Sequence, residues 1–407
     1  MIVTRLDRYF SAIALPFDLS CLPASAYLVG GAVRDGLLNR TKDVFDLDLV
    51  LPAKPIETAR EIARRYQGGF VILDEARQIA RVVFSNGTLD FALQEGDSLT
   101  ADLQRRDFTI NAIAYNFQTR QLVDPFGGIQ ALEQGKIEMI SPGNLVNDPL
   151  RLLRAYRQAA QLDFSIEANT RKTIRSLGSL LPRVAAERVQ TEFNYLLKSD
   201  TGNKWLEALW KDGLIQLYFP TVDAVKIQQL MAVETAVNRL KFAWNTFTER
   251  CHNWKCLTKI ATLVASTPEA AEAELINLKY SRAEVKAVVK TVEHLPQLQA
   301  ISSLPSLREQ YFFFLQTRDV FPILVARAIA LGISPEITTP LIDRYLNLQD
   351  PVAYPQAIVT GNHLITKLNL KPSPLIGKLL TEIQIACLEG KISTPQEALQ
   401  YAANFLE

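Results

Sequence analysis

Histidine and cysteine are scarce, with 3 and 4 copies respectively in 407 residues. A catalytic or metal centre built on imidazole has little to draw on, and four thiols in a chain this long make no disulfide framework. Cys251, His252 and Cys256 stand close together, but a zinc site needs about four ligands in paired clusters, and Cys21 and Cys387 are isolated. The thiols are therefore read as ordinary buried or surface groups. No apolar run approaches the roughly 18 residues that span a bilayer. The first ten residues mix Arg and Asp with apolar side chains and lack a signal-peptide core. The chain is expected to be soluble and cytoplasmic, with no membrane partner. Charge of one sign is also lacking: Lys plus Arg (44) against Asp plus Glu (43) leaves +1. Any nucleic-acid site must be a local basic patch. Carboxylates and arginines have to carry the chemistry.

Hydrophobic residues make up 48% of the chain, enough for a globular protein, and its length suits two to four compact units. Up to about residue 146 the pattern is mixed. Tyr27-Leu28-Val29 reads as a strand running into Gly30-Gly31, and Leu47 to Leu51 as a second strand with Asp46 and Asp48 on one face. Phe70–Leu73, Ala80–Phe84 and Thr88–Ala92 are further strands, the last two joined at Asn86-Gly87, a hairpin signal. Ile56 to Tyr66 has helical spacing. From Asp148 onward helix follows helix, including 148–162, 188–198, 205–210, 226–237, 283–292 and 374–388. The fold class is α+β, a sheet-bearing head followed by an all-helical remainder.

Three constellations stand out. In the first, Gly30-Gly31 after a strand lets backbone N–H groups approach a phosphate, and Arg34 follows with a guanidinium that can fork onto phosphate oxygens. The plain alternative is a strand-to-helix turn. Asp46 and Asp48 point the same way and repel, which a hard cation such as Mg²⁺ would relieve; otherwise they are two solvated acids. Asp90 on a later strand could complete a two-metal arrangement or be an edge-strand charge. In the second, Arg105, Arg106, Asp107 and Asn111 could hold a nucleotide's phosphate and ribose, or form a helix start with Asp107 as cap and Asn111 solvated. In the third, Asn147 fits an N-cap, Pro149 suits a first turn, and Asp148 and Arg151 are neighbours on one helix face. That pair presents an acceptor beside donors, an edge able to pair with cytosine, or it is a surface ion pair of small value. Arg154 and Arg157 extend the row.

In order along the chain, Leu-Val-Gly-Gly-Ala-Val-Arg-Asp, the Asp-x-Asp pair, Arg-Arg-Asp-Phe-Thr-Ile-Asn-Ala, Asp124-Pro125-Phe126-Gly127-Gly128 and Asp-Pro-Leu-Arg-x-Leu-Arg resemble the motifs of class II tRNA nucleotidyltransferases. These share head and neck with bacterial poly(A) polymerases. The resemblance implies a polymerase-β-like catalytic head (1–146), a helical neck that recognises the nucleotide base (147–212), a helical body (213–350) and a helical tail for tRNA (351–407). It implies untemplated addition of CMP, and in full CCA-adding members AMP, to the tRNA 3′ end with release of pyrophosphate. Asp46 and Asp48 would bind Mg²⁺; Asp90 as a third catalytic carboxylate rests on its strand position alone. Gly30, Gly31 and Arg34 would face the triphosphate; Arg106, Asp107 and Asn111 the phosphate and ribose. Asp148 and Arg151 would read the base, assisted by Arg154 and Arg157. Val359 to Leu364 and Leu370 to Gly377 look like the tail segment of the tRNA enzymes, which favours them over a poly(A) polymerase, and intact Asp46, Asp48, Arg106, Asp148 and Arg151 argue against a non-catalytic RNA-binding protein.

Some positions depart from the family pattern. Asn147 replaces the usual Glu, Ala131 an expected acid after the Gly127-Gly128 hinge, and Gln158 a common aromatic, read as a packing change. The span from Gln94 to Leu103 is short where CCA-adding members carry a longer flexible loop that reshapes the pocket for ATP. That makes addition of two cytidines from CTP the expected subtype, with a separate A-adding enzyme as a partner in sequence.

Overall fold

The computed structural model describes residues 2–40, 44–199, 201–248 and 254–406. Cys251 and His252 lie outside the described residues. The chain forms two compact units, Met1–Trp205 and Leu206–Glu407. None of the described helices is long and apolar enough to cross a membrane.

In the first unit, helices α1 (Ile2–Ala12) and α2 (Gly31–Leu37) flank the start of a seven-stranded sheet. Its strands are β1 (Tyr27–Val29), β2 (Phe45–Leu51), β3 (Gly69–Asp74), β4 (Ile79–Phe84), β5 (Gly87–Leu93), β6 (Ala114–Tyr115) and β7 (Leu122–Val123), in the order β3-β4-β5-β2-β1-β6-β7. Only β2 and β5 run parallel, with Asp48 opposite Asp90. Helix α3 (Pro55–Tyr66) follows β2. Its buried positions Ile56, Ala59, Ile62 and Ala63 recur at helical spacing, and Pro55 starts it where a missing N–H costs nothing.

The β4–β5 hairpin forms, but Ser85 and Asn86 are the turn residues and Gly87 opens β5 opposite Phe84. Gly87 is there for space: a Cβ on it would lie 2.4 Å from the Phe45 ring.

Alternation on β2 decides where the site can be. Leu47, Leu49 and Leu51 are buried on one face. On the other, Val50 packs with Val29, Leu103, Ala112 and Ala114 under helix α4 (Leu99–Gln104). Asp46 and Asp48 share that face but lie beyond the apolar cover: Asp46 is exposed and Asp48 partly buried.

Helices α5 (Gly128–Glu133) and α6 (Pro142–Asn147) lead out of the sheet into α7 (Leu150–Leu162), α8 (Ala168–Leu177) and α9 (Ala186–Lys198). Asp124 accepts hydrogen bonds from the Gly128 and Ile129 amides at 2.7 and 2.9 Å, fixing the start of α5. A Cβ on Gly128 would strike the Thr109 carbonyl at 2.3 Å, so the glycine permits that close approach. The expectation for Asn147 is corrected: it ends α6 and does not cap α7. Pro149 is the N-cap of α7, and before it Asp148, extended at φ −137°, accepts from the Leu150 amide at 3.3 Å and, through its carbonyl, from the Arg151 amide at 3.1 Å.

The second unit is helical throughout its described residues. After α10 (Gly202–Lys211), which carries the boundary, come α11 (Ala224–Ala243), α12 (Trp254–Leu263), α13 (Pro268–Asn277), α14 (Arg282–Ala300), α15 (Leu307–Thr317), α16 (Phe321–Ala330) and α17 (Pro335–Leu346). Helix α16 is buried on all sides from Phe321 to Ala328, as expected for a helix with an apolar circumference. The final three, α18 (Gly361–Lys367), α19 (Pro374–Leu388) and α20 (Pro395–Leu406), enclose a separate core around Leu364, Leu379, Ile383 and Ala398.

Candidate active site

Gly30 ends β1 with φ +75°, a conformation that favours glycine. A Cβ built there would lie 3.3 Å from Asp48 Oδ2 and 3.4 Å from an Arg106 terminal nitrogen. The glycine turn, the acidic strand and the Arg-Arg-Asp motif therefore meet at one point. Burial, then the negative charges of Asp46 and Asp90, push the Asp48 carboxyl up to about 6, with Arg106 and Arg81 opposing. A carboxylate in this state gains from a cation brought alongside. Asp46 is steadied by the Thr88 hydroxyl, which donates to Oδ1 at 2.7 Å.

Asp90 does not behave as a free third ligand. Arg81, opposite it on β4, forks onto both its oxygens at 2.7 Å. Among the described residues no group of three or more His, Cys, Asp or Glu side chains converges to hold a metal ion. Asp90 adds negative charge beside Asp48, and each of its oxygens already accepts one bond from the guanidinium.

Arg106 owes its place to α4. Leu103 packs into the sheet, which buries Asp102 completely. Asp102 then accepts from Arg106 Nη2 at 3.2 Å and from Arg105 Nη2 at 3.0 Å. Arg106 Nε is buried and has no hydrogen-bond partner, while a terminal nitrogen of the same guanidinium lies beside Gly30. The segment from Gln94 to Ser98 between β5 and α4 is held at both ends. Asp102 accepts from the Glu95 amide at 3.1 Å, and Ser98 caps α4 through the Ala101 amide.

Asp107 and Asn111 form no solvated helix start; both are buried, around the short turn Thr109–Asn111. Asp107 accepts from the Phe108 amide and Asn111 Nδ2 at 2.8 Å each, and from Arg154 at 2.8 Å. Burial opposes the charged form, but Arg154, Asn111 and the Phe108 amide outweigh it and hold the carboxyl down at about 2. Gln158 belongs to the same network, accepting from Asn111 at 2.9 Å; its role is polar bonding and not packing alone. Arg34 is drawn inward, donating to Asp35 at 2.9 Å and to Asn111 at 2.9 Å. Gly31 lies beside that guanidinium.

Asp148 and Arg151 are not paired with each other. Asp148 Oδ2 accepts from Arg188 on α9 at 2.9 Å, and Arg151 Nη1 donates to the Arg105 carbonyl at 2.7 Å. Among the described residues Arg151 has no carboxylate at ion-pair distance, and burial lowers its pKa. Both residues line a cleft of about 270 Å³ with Arg105, Arg106, Asp107 and Arg154. Arg157 turns away from it to Glu192 at 2.6 Å and Gln161 at 2.7 Å. Sequence reasoning missed Asp102, Arg188 and Glu192; the spacing of Asp102 from Arg105 and Arg106 was the one available signal.

Four arginines against two aspartates make the cleft a receptor for an anion with a polar edge, and Arg106 joins it to the acids of β2. Such an arrangement serves transfer of a nucleotidyl group from a triphosphate, and the fold and site define a nucleotidyltransferase. Residues 26–95 and 92–138 match the poly(A) polymerase head domain, 163–226 the polymerase A region described for RNA and SrmB binding, and 246–403 tRNA nucleotidyltransferase domain 2. A CC-adding tRNA nucleotidyltransferase of Synechocystis sp. is 48% identical over 397 residues, 95% of each chain. Among solved structures, a CCA-adding enzyme in complex with CTP matches with a TM-score of 0.77 at 21% identity, covering 100% of this chain and 98% of the other. The Thermotoga maritima CCA-adding enzyme complexed with tRNA matches at 0.71 and 23% identity, covering 94% and 91%. The chain belongs to the tRNA nucleotidyltransferase family.

Proposed function

We propose that the protein is a CC-adding tRNA nucleotidyltransferase, which extends a tRNA 3′ end by two CMP residues from CTP and releases pyrophosphate. The carrying observation is that Asp148 and Arg151 line one cleft, Asp148 held by Arg188 and Arg151 by the Arg105 carbonyl. A carboxylate accepts from the cytosine amino group while a guanidinium donates to the ring nitrogen and carbonyl. A bidentate contact of this type discriminates between bases by about 1–3 kcal/mol. Arg106, whose terminal nitrogen lies beside Gly30, faces the triphosphate. Asp107 and Asn111 hold the floor of the nucleotide site through Arg154, Gln158 and Arg34.

Asp46 and Asp48 suit Mg²⁺: two carboxylates on one strand face, one of them pushed up in pKa by its neighbours. Bound there, Mg²⁺ supplies activation of the 3′-hydroxyl and neutralises charge on the departing pyrophosphate. The protein then needs no nucleophile of its own. Its arginines orient the triphosphate, and the 3′ oxygen displaces pyrophosphate from the α-phosphorus. The four-part reading of head, neck, body and tail assigns catalysis to residues 1–146, base reading to 147–212, and tRNA contact to the helices beyond.

Stopping after two cytidines is supported by the short, anchored Gln94–Ser98 segment and by the CC-adding relative. A separate A-adding enzyme would complete the tRNA. The test is product length. A tRNA lacking its last three nucleotides is incubated with CTP alone, or with CTP and ATP. The expected product gains two residues in both mixtures. Efficient terminal AMP addition identifies a CCA-adding enzyme, and long ATP-dependent tails on unrelated RNA a poly(A) polymerase.

A further inference from the structure

Helix α16 is apolar all round except for one residue. Its Arg327 is 6% exposed in the interior of the second unit. Of the five N–H donors on a guanidinium, Nη1 and Nη2 reach only Gln229 Oε1, each at 3.4 Å, and Nε has no partner. Among the described residues no carboxylate lies at ion-pair distance from it. Burial is the one cause that moves its pKa, down to about 10. Charges buried this deeply are ordinarily paired, because desolvation of a lone one costs several kcal/mol.

Arg327 lines a cavity of about 310 Å³, where Gln229, Lys226, Val264, Pro296 and Leu331 form part of the wall. Lys226 brings a second positive charge. Its ammonium donates to the Thr221 hydroxyl at 2.7 Å and to the Val264 carbonyl at 2.5 Å. Asp223, also in the wall, caps α11 through the Lys226 amide at 2.8 Å, and Glu274 accepts from the Ala265 amide at 2.9 Å. The volume is at the lower end for a small-molecule site, and mostly apolar walls with a few convergent polar groups are the usual lining.

We propose that this cavity binds a small phosphoryl oxyanion, held by the fork of Arg327 with Lys226 adding charge. A guanidinium matches two oxygens of a phosphate bidentately, which would satisfy the donors left idle. The ligand is a free oxyanion and not a phosphate of an RNA backbone, since so little of Arg327 is reachable from the surface. The site is separate from the nucleotide cleft, all of whose residues lie in the first unit.

The probe is inorganic phosphate, added to the full-length protein at constant ionic strength against chloride, with amide hydrogen exchange read by peptide. Exchange should slow about twofold at half-saturation in peptides around Lys226–Gln229 and Leu324–Leu331. Gln229→Glu is the informative variant, because it places a carboxylate against Arg327 and keeps the shape of the wall. It should abolish the protection while leaving CMP incorporation and tRNA affinity unchanged. Arg327→Met should abolish it as well; if that variant fails to fold, Gln229→Glu still decides. Absence of protection in the wild type, or equal protection in Gln229→Glu, overturns the proposal. So does weakened tRNA binding in Gln229→Glu with no phosphate response, which would make the partner an RNA phosphate.

Discussion

Arg106 donates to the fully buried Asp102 four residues earlier at 3.2 Å, and through it the packing of α4 reaches the nucleotide site. Asp102 has no path to substrate; it acts by aiming Arg106 at Gly30 and Asp48. Asp102→Asn keeps the shape and removes the charge. The expected result is a KM for CTP raised about tenfold, the equivalent of about 1.4 kcal/mol of lost guanidinium positioning. Because the effect passes through Arg106, the double variant Asp102→Asn/Arg106→Ala should bind CTP no worse than Arg106→Ala. Additive losses in the cycle would show that Asp102 acts independently.

Asp48 trades stability for function. Its carboxyl is raised from the ordinary carboxylate range to about 6 by burial and by Asp46 and Asp90. The ionised form is therefore disfavoured in the fold. The stability tied to the neutral form is complete below about pH 4 and is lost as pH rises through about 6, for a total on the order of 2–3 kcal/mol. Asp48→Asn should remove this loss, giving a higher Tm than the wild type at pH 8 and a similar one near pH 4, while CMP incorporation disappears. Mg²⁺ should raise the Tm of the wild type at pH 8 and leave that of Asp48→Asn unchanged. A variant that still turns over would reject the assignment of these acids.

Much of the head could be read directly because its signals are local. Alternation fixed Asp46 and Asp48 on one face, and the glycine turn followed a recognisable strand. What could not be read depends on which groups meet across elements. For Asp90, nothing in its spacing shows that β4 brings Arg81 opposite it. Asp148 and Arg151 look like an i,i+3 pair until α9 supplies Arg188 and the end of α4 presents the Arg105 carbonyl. Gln158 reads as filler until the turn at Asn111 folds against α7. Burial of polar side chains depends on the sheet and neck coming together, and no spacing rule carries that information.

Asp107 has the opposite pH signature to Asp48. Arg154, Asn111 and the Phe108 amide overcome burial and hold its carboxyl at about 2, below the usual range. It contributes stability above about pH 4, and this is lost as pH falls towards about 2, for a total of about 2–3 kcal/mol. In Asp107→Asn the acid limb of the stability profile should flatten, with lower stability than the wild type at pH 7 and a vanishing difference near pH 2. Denaturant midpoints across this range check it. A parallel offset at every pH would mean that shape and not charge was lost.

Base choice is the sharpest test of the cleft. Arg151 lies at its wall with no carboxylate partner, so removing the guanidinium leaves no buried acid stranded. Arg151→Ala should therefore fold with a Tm close to that of the wild type, yet its preference for CTP over UTP should fall by about tenfold or more, as expected when a contact worth about 1–3 kcal/mol is removed. Asp148→Ala differs in a way the structure anticipates. Arg188, released from its 2.9 Å contact, can swing into the cleft and place a donor where an acceptor stood. Loss of the acceptor removes the partner of the cytosine amino group, and the intruding guanidinium favours the uracil carbonyl, so UMP incorporation should rise relative to CMP. Adding Arg188→Ala should return the double variant to weak, unselective incorporation. If Arg151→Ala and Asp148→Ala both kept the wild-type ratio of CTP to UTP, nucleotide identity would have to be read elsewhere than at the start of α7.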